Sequence, residues 1–300
     1  MSMENIEQIT DLRTAEPKAS LHYGNVPLLT YADGPISIDG YSRAAVQTIW
    51  HVPECKLLFD VGANSWDLAH VPNLALSHAH PDHLAGFFSY LATRQMQKLP
   101  LANVFGPPEL EEGLRKLCDG WKTLTGDEYP FTFIPLRAGE CADLSERLVI
   151  KAIAMSHTLR GNGYIVYEKR KKLAAAHAQK SGSEIAELKK QGVNISEETL
   201  IPLVGFCGDS TAAILDQYPD LYQTRCLILE CTYVSPSVDR AKSAEFGHVH
   251  VEDLIERADR FQNEMVVLGH FSTRWRRDQI IAELDSRLPQ SLKKRAVLWI

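Results

Sequence analysis

The stretch Ser77-His78-Ala79-His80-Pro81-Asp82-His83 places three imidazoles and one carboxylate within six positions. Imidazole nitrogen and carboxylate oxygen are the donors that borderline divalent ions such as zinc select. In water these groups gain nothing from proximity, because clustered imidazoles repel as they titrate. A cation uses all four at once. The short apolar run Leu74-Ala75-Leu76 ahead of them reads as a buried strand. Pro81 is expected to keep helix out of the cluster and leave it on a loop. Leu84 to Ala92 then suits a helix packed on a sheet. Sites in α/β folds gather where a strand ends and a helix begins.

Further donors fall at the ends of other predicted strands. His157 follows Leu148 to Met155, Asp209 follows Phe206-Cys207-Gly208, and His270 follows Met265 to Leu268 through Gly269. His248 lies in Gly247-His248-Val249-His250, just ahead of a predicted helix. These residues suffice for two ions. Two cations about 3.5–4 Å apart hold a bridging hydroxide and also polarise a substrate. His78, His80 and His157 are expected on one ion, with Asp82, His83 and His270 on the other. Asp209 would bridge them and offset their repulsion. The expected cofactor is two Zn2+, with Mn2+ or Fe2+ as substitutes.

His78-x-His80-x-Asp82-His83 resembles the signature of the metallo-β-lactamase superfamily. That resemblance implies an α/β fold, the αββα sandwich of two mixed β-sheets flanked by helices. Later segments narrow it. Gly269-His270-Phe271-Ser272-Thr273-Arg274-Trp275 is similar to the His-Phe-Ser-x-Arg-Tyr motif of ribonuclease Z, the tRNA 3′-processing endonuclease. Leu229-Glu230-Cys231-Thr232-Tyr233 with Gly247-His248 resembles its Glu-Ala-Thr-Phe and Gly-His-Ser segments. Ser156-His157-Thr158 through Gly163-Tyr164, and Phe206-Cys207-Gly208-Asp209-Ser210, are similar to two more.

The resemblance implies a role for each matched residue. Asp60, at the end of Leu57-Leu58-Phe59, supports the metal loop through its carboxylate. Asp82 helps orient a metal-held hydroxide for in-line attack on a phosphodiester. His248 protonates the leaving oxygen and Glu230 keeps it cationic, which suits a group that titrates near working pH. Ser272 and Arg274 contact substrate. The family also implies a homodimer. The substrate stays open between a tRNA precursor and a small phosphodiester, because residues 169–200 lack the Gly-Pro of the family's tRNA-gripping arm. A second enzyme class would use the same ions on a carboxylic ester, lactone or thioester. Such leaving groups need no acid, so His248 beside Glu230 speaks against it. A non-catalytic binding module tends to lose ligands, and every expected one is present.

The elements that must position these groups are those of a globular protein. The chain has 300 residues, 45% hydrophobic and 23% charged, with a net charge of −6. No global basic field attracts nucleic acid. Local patches at Lys169-Arg170-Lys171-Lys172 and at Arg274, Arg276 and Arg277 could still grip phosphates. The six cysteines are scattered without a C-x-x-C pair, and no segment resembles a signal peptide or membrane span. A cytoplasmic protein with no membrane partner is expected. Alternating strands and helices argue one domain over 20–300, behind a tail at 1–19, with 169–200 as a charged helical insertion. His250 reads as a helix-start residue, and His22, His51, His70 and His177 as structural.

Overall fold

The computed structural model describes residues 12–17, 28–63 and 66–300. Most of the expected tail, His22 and the turn residues Asn64 and Ser65 lie outside the described residues. Among the described residues two eight-stranded sheets form the centre. In the first, Glu16–Pro17, Leu29–Tyr31, Ile38–Arg43, Gln47–Val52, Leu57–Phe59, Asn73–Ala75, Asn103–Gly106 and Thr132–Pro135 lie side by side in chain order. The pairings are antiparallel as far as Leu57–Phe59 and parallel beyond it.

The second sheet starts with Arg13–Thr14, then Ala296–Leu298, Met265–Gly269, Cys226–Glu230 and Ser196–Phe206, all parallel. Asn162–Leu173, Leu148–Ala154 and Cys141–Asp143 complete it in antiparallel fashion. Both sheets are therefore mixed.

The strands are apolar on both faces because each sheet is covered twice. Trp50, Phe59 and Phe105 of one sheet meet Tyr164, Phe206 and Val267 of the other in the central core. Phe59 stacks on Phe206 with ring centres 4.7 Å apart. Helix Phe87–Met96 covers the outer face of the first sheet with Phe87, Tyr90 and Leu91. Helix Arg277–Arg287 does the same for the second with Ile280, Ile281 and Leu284. Each such side chain contributes about 1.5–3 kcal/mol on burial. The layers are helix, sheet, sheet, helix, as the motif resemblance implies. No helix among the described residues is long and apolar enough to cross a membrane.

Two expectations are corrected. Pro81 does not exclude helix: it is the first residue of the one-turn helix Pro81–Leu84, which carries Asp82 and His83. Proline suits that position, since its missing N–H has no intrahelical partner there anyway. Residues 169–200 are not a helical insertion. Asn162–Leu173 and Ser196–Phe206 continue as one antiparallel ribbon, with Leu173 opposite Ser196. Only the capped segment Gly182–Lys190 near its tip is α-helical. Cross-strand pairing of Lys171 and Lys172 with Glu198 and Glu197 favours strand over the helix that the Ala and Lys content suggests.

Gly62 is where the sheet and the metal loop touch. Its N–H donates to Thr48 O at 2.8 Å, and a Cβ there would stand 1.8 Å from the carbonyl oxygen of Asp82. Gly62→Ala therefore forces the Asp82 backbone away, and overpacking of this kind costs about 1–3 kcal/mol. Urea unfolding should show a lowered midpoint. An unchanged midpoint would mean that the close approach is not a constraint.

Candidate metal centre

Every expected donor sits at the same edge of the sandwich, on the residues that follow strands. Asp60 follows Leu57–Phe59, Ser77 to His83 follow Asn73–Ala75, and His157 follows Leu148–Ala154. Asp209 follows Ser196–Phe206, Glu230 ends Cys226–Glu230, and His270 follows Met265–Gly269. Asp60 and His270 both take left-handed backbone angles, φ 57° and 58°. Such conformations are costly for residues with a Cβ and persist where the surroundings over-determine them.

The side chains fall into overlapping groups. Donor atoms of His78, His80, His157 and Asp209 lie within 4.8 Å of one another, as do those of Asp82, His83 and His270. Asp209 stands between the groups. One of its oxygens is 3.3 Å from His83 Nε2, and the other is 3.4 Å from His270 Nε2 and 3.9 Å from His78 Nε2. Asp82 Oδ2 lies 3.8 Å from His83 Nε2 and 3.6 Å from His270 Nε2, and it accepts the Ala45 N–H at 2.8 Å.

A surrounding set of acceptors fixes which ring nitrogen carries the proton. Asp60, fully buried, accepts from Ser77 N and Ser77 Oγ at 2.7 Å and from His83 Nδ1 at 2.7 Å. Ser77 Oγ, its own proton given to Asp60, accepts from His78 Nδ1 at 2.9 Å. His157 Nδ1 donates to Gly247 O at 3.0 Å, and His270 Nδ1 to Thr232 Oγ1 at 3.0 Å. Gly247 must be glycine here: at φ 74°, a Cβ would stand 2.7 Å from His157 Nδ1. With each Nδ1–H so engaged, the Nε2 lone pairs turn inward. His83 Nε2 and His270 Nε2 face each other at 3.4 Å. Two nitrogens that close share either a proton or a cation, and with carboxylates of Asp82 and Asp209 beside them the residues present fit divalent metal.

Protonation follows the same logic. Burial, then the neighbouring imidazoles, push His78 down to about 2, so it stays neutral and able to ligate. Burial also lowers His157. Burial opposes a charge on His83, but the carboxylates of Asp209 and Asp60 outweigh it and raise its pKa well above 6.5. A cation takes the place of that proton on binding. Burial opposes ionisation of Asp82, yet the neighbouring imidazoles of His270 and His83 hold it well below the usual carboxylate range.

His248 stands beside both groups, close enough to Asp209 and His270 to join a ligand set. Its Nδ1 instead pairs with Glu230 Oε1 at 2.8 Å. Burial works against its charge, but Glu230 outweighs this by its charge and hydrogen bond, and the pKa rises to about 9. A protonated imidazole is a poor ligand and a ready acid. Glu230 is held in turn by the N–H groups of Ser210 and Thr232, each at 3.1 Å. Ser272 is buried, with its N–H on Thr232 O at 3.0 Å, whereas Arg274 is exposed with its guanidinium 5.8 Å from the Tyr233 ring centre. His250 caps helix Val251–Glu256, accepting the Glu252 N–H at 3.2 Å.

Sequence reasoning passed over Ser77, Thr232 and the Ala45 N–H. A hydroxyl residue next to or two after a strand-end ligand was the available signal for the first two. The third is a backbone group that no residue type announces.

Asp60→Asn tests the support of the cluster. The amide retains the shape but cannot accept from Ser77 and His83 at once without presenting an N–H to one of them. Zinc affinity should fall about 10–100-fold, as for other residues that orient ligands. Competition against a chromogenic chelator measures it, and unchanged affinity would remove Asp60 from that role.

Residues 60–271 match the family described as Beta-lactamase superfamily domain. The chain is 32% identical over 288 residues to tRNase Z TRZ2, chloroplastic, of Arabidopsis thaliana, covering 94% of this chain and 79% of that protein. It is 29% identical to tRNase Z TRZ1 of the same plant, covering 86% of this chain and 92% of the relative. The crystal structure of human tRNase Z, short form, matches with a TM-score of 0.51 at 16% identity, covering 96% of this chain and 93% of that one, a likeness of fold.

Proposed function

We propose that this chain, which belongs to the ribonuclease Z-like branch of the metallo-β-lactamase superfamily and is a metal-dependent hydrolase, is a dizinc phosphodiesterase that processes the 3′ end of tRNA precursors. When bound, two ions at the candidate centre acidify water and neutralise charge at phosphorus. His78, His80 and His157 would hold one ion and Asp82, His83 and His270 the other, with Asp209 between them. Asp82, whose Oδ2 faces the donor group and is tethered by the Ala45 N–H, orients the attacking water. His248 delivers its proton to the leaving oxygen, and Glu230 keeps the imidazolium upright and charged. Ser272 and Arg274, beyond His270, contact the substrate backbone.

The observation that carries this function is the His248–Glu230 pair at 2.8 Å beside the two donor groups. A ribose or other alkoxide leaves poorly unless protonated, whereas lactones and thioesters need no such acid. We take the described residues from Leu12 onward as one domain, rather than 20–300 behind a tail, and the protein as a homodimer. Arg13–Thr14 and Glu16–Pro17 each extend a sheet, and Leu12 and Ala15 are buried in the cores. Leu117, Trp121 and Leu124 line up exposed along helix Leu110–Thr125 and would be covered by a second copy.

The test uses zinc-loaded protein on a labelled tRNA precursor with a 3′ trailer, beside a chromogenic phosphodiester. Cleavage at the trailer junction is expected, with affinity falling steeply as salt rises. Cleavage of the small ester alone would move the substrate to small phosphodiesters. Cleavage of a lactone or thioester alone would overturn the acid role of His248.

A further inference from the structure

A second pair of histidines lies at the other end of the first sheet, where strand Leu57–Phe59 begins rather than where it delivers Asp60. His51, on strand Gln47–Val52, is only 7% exposed and stands opposite Asp39 in the register. Its Nδ1 is 3.1 Å from Asp39 Oδ2, and Asp39 Oδ1 accepts from Thr30 Oγ1 at 2.8 Å. An ionised carboxylate only accepts, so Nδ1 carries the proton, and in the neutral ring Nε2 presents a lone pair. His70 repeats the arrangement: its Nδ1 lies 3.0 Å from Asp67 O, a carbonyl that can only accept. Both rings line one cleft of about 440 Å³, together with Lys56.

From these contacts we infer that the His51–His70 cleft binds a divalent transition-metal ion between the two Nε2 atoms, apart from the candidate catalytic centre. Each ring has one nitrogen tied to an acceptor and the other free, the pattern that orients histidine ligands. Two imidazoles at roughly 2.0–2.1 Å from one ion place their ring centres about 5–6.5 Å apart. His51 and His70 are 6.1 Å apart, against 5.1 Å for His78 and His157 and 5.4 Å for His83 and His270. The remaining positions on the ion open into the cleft, where water or a small anionic ligand completes them. Lys56 faces the same space. Its charge weakens the cation and favours an anion as the further ligand.

The experiment uses the full untagged chain, its candidate catalytic centre first saturated with zinc, then titrated with Cu2+ by equilibrium dialysis. Wild type is expected to take up one ion per chain more than His51→Gln or His70→Gln, with two-nitrogen coupling in its electron paramagnetic resonance spectrum. Glutamine at 51 can still donate to Asp39, which keeps the buried carboxylate partnered. Lys56→Met should bind the extra ion about 2–5-fold more tightly once one charge is removed, a gain that no loss of folding produces. Equal uptake by wild type and both histidine variants would overturn the site and leave the two rings as an edge-to-face packing pair.

Discussion

Replacing His248 by alanine lowers turnover of an RNA substrate by about 10²–10⁴-fold, the range expected for loss of a positioned general acid. The donor groups around His78 and His83 do not depend on His248, so zinc content should stay at the wild-type level. The pH dependence gives a sharper readout. Glu230 raises His248 to about 9, so the imidazole is protonated and competent below that pH and loses its proton above it. Turnover in the wild type should therefore fall on the alkaline side. Two bound cations repel the imidazolium and draw this limb below 9. Glu230→Gln removes the charge that raises the pKa and moves the limb to lower pH still. His248→Ala should lack the limb altogether. An alanine variant with near-normal turnover and an unshifted alkaline limb would remove His248 from the chemistry.

Asp209→Asn should be nearly as damaging, through the ions rather than the proton. Asp209 is 3% exposed, and its two oxygens reach toward His83, His270 and His78. Burial opposes its ionisation, but the charges of His270 and His83 prevail and hold its carboxyl well below the ordinary range. The amide keeps the volume and loses the charge that offsets repulsion between two cations. Bound zinc, measured by mass spectrometry after gel filtration, should fall below that of wild type by at least one ion per chain. Turnover should drop by orders of magnitude with it. Full zinc content in Asp209→Asn would mean that the two donor groups do not share this carboxylate.

Much of this was legible in the chain because the donors are tied to strand ends. His78, His157, Asp209 and His270 each follow a short apolar run, and a run that ends at a common sheet edge delivers its next residue to a common place. The strand at 296–298 lies in the unbroken apolar run Ala296-Val297-Leu298-Trp299-Ile300, whereas helix Arg277–Arg287 carries its buried Ile280, Ile281 and Leu284 among mostly charged and polar residues. Ile38–Arg43 was not legible, since Asp39, Gly40, Ser42 and Arg43 hide a strand whose polar groups are buried by tertiary contacts. The ribbon over 169–200 was misjudged because alanine and lysine content speaks for helix locally. Pairing across the ribbon, a non-local effect, decides otherwise. Pro81 was misjudged in a narrower way, as a breaker where it starts a turn. The Ala45 N–H on Asp82 depends on a hairpin folding back, and residue types alone do not report that.

The most direct measurement compares wild type and His248→Ala on two substrates that differ only in the leaving group. One is an RNA phosphodiester, whose alkoxide must be protonated, and the other is an activated phosphodiester with a nitrophenolate that leaves unaided. Single-turnover rates should show a loss of about 10²–10⁴-fold on the RNA and little change on the activated ester. That contrast would place the acid on the leaving oxygen and the ions on the attacking side. An equal loss on both substrates would contradict the account, because His248 would then be acting on the ions or the water instead.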